Sequence, residues 1–318
     1  MRRIHLKLAA VCAWIALALL SVFVCRDTGG FSAFETDPLS EVEPKIASGV
    51  RVCTWNLRNY GVARHFAAGK WREHPKPESE RAAIRSILKR IDADIVVLEE
   101  MQDRAFLMDL RNSLHSEGLS YKYWAIGKNE APIRVAILSK LKPEKFVDRS
   151  LLVFAYGGEF RASPRGTVGA VYRCGNVEWS VYGFHLKSKY GSKKGDGGFA
   201  PFRAAELSAA VSEMSRARPV LLCGDFNDEP CEILKTLSGF GFRMVEQSDA
   251  DGLAYSYFWA KKNRRFVYDC FYANAKMEPF IKGRARVFGS ESLSSSDHRP
   301  VYVDLDFSSG ADSSASGN

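Results

Sequence analysis

Several signatures that settle a function at a glance are missing from this sequence. Its seven cysteines in 318 residues show no paired metal-type spacing and no dense framework, which argues against both a zinc centre and a disulfide scaffold. Cys12 and Cys25 fall in the apolar N-terminal run. Cys53, Cys223 and Cys270 fall in apparent core strands, where free cysteine packs as a small hydrophobe, and Cys174 falls in an expected hairpin turn. A Cys223–Cys231 bridge has little support. There is no Gly-rich phosphate loop and no Gly-x-Ser-x-Gly elbow, so nucleotide-cradling and serine-nucleophile chemistries have no motif to rest on. No fixed-period repeat is present, which excludes a solenoid. Extreme charge is absent as well. The formal net charge is +8 with 45 basic and 37 acidic residues. Setting aside Arg2, Arg3 and Lys7 leaves 42 against 37, a mild bias towards anionic partners that does not by itself imply nucleic acid.

Hydrophobic residues make up 46% of the chain, enough for a sizeable core. One long apolar run exists, residues 8–25, broken only by Ser21 and preceded by Arg2, Arg3 and Lys7. Its length suits a short membrane span or a long signal core. The basic flank should stay in the cytoplasm and place the rest outside it. The protein is therefore expected to be extracytoplasmic, secreted if residues 1–25 are a cleaved signal peptide and attached to the membrane if they are an uncleaved anchor. Residues 26–48 read as a linker, 49–307 as one folded domain, and the Ser/Gly/Ala/Asp-rich residues 308–318 as a disordered tail.

Within the domain, residues 50–56 alternate like a strand and end at Asn56. Ile84, Ile87, Leu88 and Ile91 predict an amphipathic helix over 78–91. Residues 94–100 form a buried strand that ends in Glu99-Glu100, with Glu100 on the face of Leu98 and Glu99 on the other. A second helix is predicted over 103–116, then strands at 121–126, 135–138 and 151–154, and a hairpin of 167–173 with 177–186. His185 lies near the end of that hairpin, and Lys187 follows it. Residues 190–202, rich in Gly and Lys, should form a mobile surface loop. A helix over 203–217 leads to the apolar strand 220–223 and then Gly224-Asp225-Phe226-Asn227-Asp228. Alternation puts Asp225 and Asn227 on one side and Phe226 on the other. A short helix near 229–237 follows. Residues 265–273 read as one strand with Asp269 in its middle, a costly place for an unpaired carboxylate. Asp297-His298 precedes a last strand over 301–307.

Each of these polar residues has a bland reading as a cap, a turn or a solvated end. Together they supply hard oxygens for a divalent cation, a histidine with a carboxylate partner, and donors for phosphate oxygens. That is the inventory of metal-assisted phosphoester hydrolysis. In its motifs Thr-Trp-Asn-Leu-Arg, Ile-Val-Val-Leu-Glu-Glu, His-Leu-Lys-Ser, Gly-Asp-Phe-Asn-Asp, Tyr-Asp-Cys and Ser-Asp-His-Arg-Pro-Val, taken in order, the chain resembles the endonuclease/exonuclease/phosphatase superfamily over about residues 49–307. The resemblance implies a four-layer α-β-β-α sandwich of two facing mixed sheets flanked by helices. It implies Mg²⁺ or Mn²⁺, one or two ions, with Glu100 and Asn56 as ligands and Asp297 for a second ion. It implies that Asp225 activates the attacking water and that Asn227 holds the water or a phosphate oxygen. His298, oriented by Asp269, then contacts the scissile phosphate, and His185 acts as a phosphate ligand or proton donor.

Secreted DNases of that superfamily carry a Glu where this chain reads Pro132-Ile133-Arg134, and abasic-site endonucleases carry a Tyr in this region. Glu130 is the nearest acid there, and Arg134 is the candidate to substitute as an electrostatic donor, with Lys187 as a further phosphate contact. The Glu-Met-Gln-Asp and Val-Tyr-Asp versions of the motifs resemble secreted DNases, and His-Leu-Lys-Ser-Lys resembles secreted bacterial nucleases. Nucleic acid is therefore the expected substrate. The alternatives are a phospholipid or a phosphomonoester on the same chemistry, or a non-catalytic binding module. Residues 199–202 are the only short apolar candidate for a lipid-contacting hairpin. No aromatic-rich stacking platform is identifiable in the sequence.

Overall fold

A computed structural model describes residues 49–67, 70–192, 197–212, 214 and 217–308. The expected targeting segment (residues 1–25), linker (26–48) and all but the first residue of the tail lie outside the described residues. Among those described, no helix is long and apolar enough to cross a membrane, and five cysteines are free, among them Cys223 and Cys231.

The chain opens with β1 (Gly49–Tyr60), the hairpin β2 (Val62–Ala67) and β3 (Lys70–Pro75), helix α1 (Glu78–Ile91), β4 (Ile95–Met101) and α2 (Arg104–Ser116). Next come β5 (Tyr123–Ile126), β6 (Arg134–Ser139), β7 (Lys145–Asp148), β8 (Val153–Tyr156), β9 (Glu159–Ala162), β10 (Thr167–Cys174) and β11 (Val177–His185). Then follow α3 (Ala200–Ser212), β12 (Val220–Asp225), α4 (Pro230–Leu237), β13 (Phe242–Met244) and β14 (Gln247–Ser248). The last elements are β15 (Tyr257–Trp259), β16 (Arg264–Phe266), β17 (Asp269–Asn274), β18 (Ala285–Val287) and β19 (Val301–Asp306).

Two mixed sheets form. One has the order β14-β18-β19-β1-β4-β6-β5 and the other β13-β17-β12-β11-β10-β7. Period-2 alternation explains how they stack. Val52, Val97, Val135 and Val303 point from the first sheet, and Val181, Leu221, Cys223 and Phe271 from the second, into one shared core. The opposite faces pack on helices. Cys53, Trp55, Val96 and Leu98 meet Ile84, Leu88, Leu107 and Leu110. Tyr182, Leu222 and Phe226 meet Leu207, Val211 and Ile233. The result is the four-layer α-β-β-α sandwich expected. Because β4 and β12 are covered on both faces, they read as continuous apolar runs.

Topology gathers the polar strand ends at one pole. β1 runs parallel to β4, and β11 parallel to β12, so Asn56, Glu99, His185 and Asp225 all lie towards C-terminal ends of strands. β17 and β19 run antiparallel to their neighbours. Asp269 therefore opens its strand directly opposite Asp225, and His298 lies just before β19.

Some expectations need correction. Residues 265–273 are two elements, and Asp269 is the first residue of β17 rather than the middle of a strand. Ser256 Oγ accepts the amides of Tyr268 (3.1 Å) and Asp269 (2.8 Å) at the break between them. The strand near 151–154 lies at Val153–Tyr156 and pairs with β9, across Gly157 and Gly158, both at positive φ as a tight hairpin requires. Residues 197–202 are not a loop. A 3₁₀ turn, Gly197–Phe199, leads into α3, which starts at Ala200 with Pro201 in its first turn. Phe202 packs edge-on against Phe154 and Tyr156, so residues 199–202 are no lipid-contacting hairpin.

Candidate active site

The Gly-Asp-Phe-Asn-Asp turn is shaped by backbone sterics. At Gly224 (φ 132°) a Cβ would lie 2.0 Å from the Phe184 carbonyl oxygen, so only glycine allows β11 and β12 this approach. Phe226 is fully buried against Phe184 and Tyr272. Asn227 takes a left-handed conformation, φ 55°, that asparagine tolerates better than most residues. Its amide N–H donates to Asp225 Oδ1 (2.9 Å), and its Nδ2 donates to Asp225 Oδ2 and to the Leu186 carbonyl (both 3.0 Å). Asp225 and Asn227 thus act as one unit.

The first sheet contributes Asn56 and Glu100. Strict alternation would leave Glu100 on the helix-covered face with Leu98. Instead the β4 register shifts after Leu98, and Glu100 adopts φ 61°. That twist brings its carboxylate to the pole, where Oε1 accepts from Asn56 Nδ2 (3.3 Å) and Oε2 from the Asn59 amide (2.8 Å). Asn56 Nδ2 also donates to Asp225 Oδ2 (3.0 Å), which joins the two sheets. Glu99 stays in the inter-sheet layer, fully buried, and accepts from Thr54 Oγ1 (2.8 Å). Burial, with Asp269 nearby, raises its carboxyl well above the usual range, which favours the neutral acid beneath the site.

The two histidines are pushed apart. His298 Nδ1 lies 2.8 Å from Asp269 Oδ2, and its Nε2 lies 3.9 Å from Asp225 Oδ2. Burial opposes its charge, but Asp269 and Asp225 outweigh that and hold it well above the ordinary histidine range. The segment bearing it is fastened to β1. Trp55 Nε1 donates to the His298 carbonyl (3.0 Å), and Ser296 Oγ donates to the Asn56 carbonyl (2.7 Å). His185 is 2% exposed. Burial, then Arg165 and His298, drive it well below the ordinary range. Its Nε2 lies 3.6 Å from Asp225 Oδ2 and 3.8 Å from Glu100 Oε1. The two imidazoles are thus driven in opposite directions, as acid–base partners require. Burial also raises Asp225, to about 7, against the pull of His298.

Of the expected site residues, the structure brings together Asn56, Glu100, His185, Asp225, Asn227, Asp269 and His298. Lys187 and Arg134 lie apart from that cluster, and Asp297 stands at its rim beside His298. Asp297 is about one-third exposed, with its Oδ2 3.9 Å from Arg58 Nε. Lys187 Nζ bonds the Tyr190 carbonyl (3.3 Å) and lies over the Phe199 ring (4.5 Å). Arg134 opens β6 opposite Met101, and both Met101 and Ala136 belong to the outer, helix-side core. Arg134 therefore starts the strand on the face turned away from the shared core.

A divalent cation suits this donor set. Two carboxylates, Glu100 and Asp225, supply the hard oxygens; Asn56 meets both through Nδ2, while its Oδ1 accepts from the Arg58 amide (2.9 Å). Asp225, Asp269 and His298 also offer ligand atoms within 4.8 Å of one another. His298 Nδ1 is already engaged by Asp269 there, so that trio reads as an oriented imidazole.

Sequence reasoning missed an aromatic stack. Tyr257 lies 4.6 Å from the His298 ring, 5.3 Å from Tyr268 and 6.0 Å from Phe266, and Phe266 lies 5.1 Å from Tyr268. It is built on the β15–β16 hairpin, whose tip carries exposed Lys261, Lys262, Arg264 and Arg265. The period-2 pattern of Tyr255, Tyr257 and Trp259 ahead of Asn263, at φ 49°, was the available signal.

The sequence model of the Endonuclease/Exonuclease/phosphatase family matches residues 53–298. No curated protein matches. Among solved structures, the chain is similar to D. rerio TDP2 complexed with single strand DNA product, at 17% identity and TM-score 0.56, covering 82% of this chain and 100% of that one. It is similar to beta toxin 275-280 from Staphylococcus aureus at 13% identity and TM-score 0.59, covering 80% and 99%. It is also similar to an endonuclease/exonuclease/phosphatase family protein from Leptotrichia buccalis C-1013-b at 13% identity and TM-score 0.56, covering 81% and 100%.

Proposed function

Because the chain belongs to the endonuclease/exonuclease/phosphatase family, whose members hydrolyse phosphoester bonds, we propose that it cleaves phosphodiester bonds of nucleic acid by water attack. The observation that carries this is the convergence of Glu100, Asn56, Asp225 and His298 from both sheets on one pole. Glu100 would hold Mg²⁺ or Mn²⁺, joined by Asn56 Oδ1 once the amide turns from the Arg58 N–H, with Asp297 at the rim serving any second ion. The ion would supply charge stabilisation at phosphate oxygens.

The chain's own residues do the rest. Asp225, raised towards neutrality, accepts a proton from the attacking water. Asn227 Nδ2, fixed by Leu186 and Asp225, orients that water or a phosphate oxygen. Charged His298 donates to a non-bridging oxygen, and Asp269 keeps its ring in place. As the water oxygen bonds phosphorus the ester P–O bond breaks; neutral His185, within 4 Å of Asp225 and Glu100, is a hydrogen-bond ligand of the phosphate, and the leaving oxygen takes its proton from solvent. Lys187 and Arg134 remain candidates for outlying phosphate contact. Nucleic acid is favoured because the β15–β16 hairpin adjoining His298 carries exposed Trp259 for stacking on a base and cations at its tip for the backbone. The TDP2 neighbour was solved with a single-strand DNA product.

The exposed apolar side chains Val153 and Phe160 of the β8–β9 hairpin, with Leu151 just before it, favour a second reading, a phospholipid phosphodiester. Purified protein with Mg²⁺ or Mn²⁺ is to be assayed on plasmid DNA, RNA, sphingomyelin and a phosphomonoester. Turnover of only the lipid or the monoester would sink the nucleic-acid reading. Glu100→Gln and Asp225→Asn should each lower the rate at least ~10²-fold; retained rates would remove the site assignment. An extracytoplasmic location through residues 8–25 belongs to this reading, and recovery of the protein from the cytosolic fraction would contradict it.

A further inference from the structure

A buried charge beside the site is unused by this chemistry. Arg203, in the first turn of α3, is 1% exposed. Its Nη1 donates to the Lys187 carbonyl (2.9 Å) and the Gly198 carbonyl (2.7 Å), and its Nη2 pairs with Asp228 Oδ2. Asp228 also takes Lys189 Nζ (2.6 Å) and is 5% exposed. These contacts join three pieces of chain. The Lys187 carbonyl lies two residues beyond His185, Gly198 lies in the turn that enters α3, and Asp228 directly follows Asn227. Between them Asn227 Nδ2 reaches the Leu186 carbonyl. One guanidinium thus ties the end of β11, which carries His185, to the turn that carries Asp225 and Asn227.

We propose that Arg203 and Asp228 form a positioning clamp that sets His185 and Asn227, with Lys187 and Lys189 of the intervening segment, for a phosphodiester. The role rests on the hydrolase reading above. The chemistry explains the choice of residues. Arg203 serves three acceptors in two directions with a planar, rigid fork, which a lysine ammonium cannot imitate. A buried ion pair is a weak source of stability, because a well-packed apolar pair of similar volume is often as stable. Stability alone therefore does not call for charges at these two positions, whereas fixed geometry at three backbone pieces does.

That contrast supplies the test. In the full chain, Arg203→Met with Asp228→Leu should keep the melting temperature close to wild type. The same double variant should lower kcat on DNA by about 10²-fold, as misplacement of reacting groups by about 1 Å does, with KM changed less. Amide exchange at Asn227, across 186–192 and at Gly197 and Gly198 should accelerate at least about tenfold, as for a segment that opens locally. Arg203→Lys, which keeps charge and volume, should reproduce both effects; it carries the test if the double variant does not fold. Wild-type kcat or unchanged exchange in the folded variants would overturn the clamp. If wild-type protein cleaves no phosphodiester while exchange responds as stated, the hydrolase reading fails and the clamp stands only as a structural tie. The two failures are thereby told apart.

Discussion

The opposite shifts of two imidazoles within reach of one carboxylate are the most informative residue-level feature. His298 is held charged by Asp269 and Asp225, and His185 is held neutral by burial. Asp269 has no role of its own at the substrate, yet it accounts for the orientation and charge of His298. Asp269→Asn should therefore lower kcat by about 10²–10⁴-fold, in the range of other misoriented catalytic histidines, while KM moves little. A steady-state comparison with wild type checks this, and equal kcat values would refute the assignment. A second buried acid makes a separate, non-catalytic prediction. Burial raises Glu206 from the ordinary carboxyl range to about 7, against its bond to Ser163. The folded state then holds the proton more tightly than the unfolded chain, so stability falls as pH rises. The contribution is complete below the unfolded value near 4.5 and lost as pH passes about 7. It amounts to ~3 kcal/mol at most, from 1.36 kcal/mol per unit. Glu206→Gln should leave the melting temperature nearly unchanged at pH 4 and raise it by roughly 5 °C or more at pH 8. Parallel pH–melting curves for variant and wild type would contradict the assignment.

At the level of elements, the regular strands and helices were legible because burial dictates period. Both α1 and α2 follow the 3–4 spacing of their buried faces, and the double-covered β4 and β12 appear as apolar runs. What alternation could not convey was departure from it. The twist at Glu100 moves a carboxylate from one face of the sheet to its end, and nothing in Leu-Glu-Glu-Met announces it. The split between β16 and β17 depends on Ser256, more than ten residues upstream. The β15–β16 hairpin escaped notice because its short strands are interrupted by cations, and those cations are what make it a candidate grip on nucleic acid. Replacing Lys261, Lys262, Arg264 and Arg265 with Ser should weaken DNA binding. The slope of log affinity against log salt should fall by roughly 0.7 for each phosphate no longer neutralised, with kcat at saturation nearly unchanged. An unaltered salt slope would mean that the hairpin does not touch the backbone.

On the scale of the molecule, the site is also a seam. Asn56 of one sheet bonds Asp225 of the other, and His298, fastened to β1, bonds Asp269 of β17. The motif residues were legible singly, but their meeting was not, because it depends on two sheets stacking in register; only the family resemblance supplied that. The seam is crowded with acid. Glu99, Glu100, Asp225 and Asp269 lie close together, and burial and mutual repulsion push Glu99 and Asp225 towards their neutral forms. Such crowding destabilises the empty pole and favours any cation that binds it. A divalent ion held by Glu100 and Asn56 should then stabilise the whole fold, since a ligand that binds only the folded state adds about 2.7 kcal/mol at a hundred times its Kd. For a domain of this size that is a rise in melting temperature of roughly 5–10 °C on adding Mg²⁺ or Mn²⁺, reversed by chelator. Glu100→Gln should abolish the metal-dependent rise. By relieving repulsion it should also melt no lower than wild type in chelator, because functional carboxylates are often kept at a cost in stability. The readout is thermal and needs no substrate, so it tests the metal site apart from the reaction. A metal-dependent rise of equal size in Glu100→Gln would place the ion elsewhere and leave the pole's acids without their proposed partner.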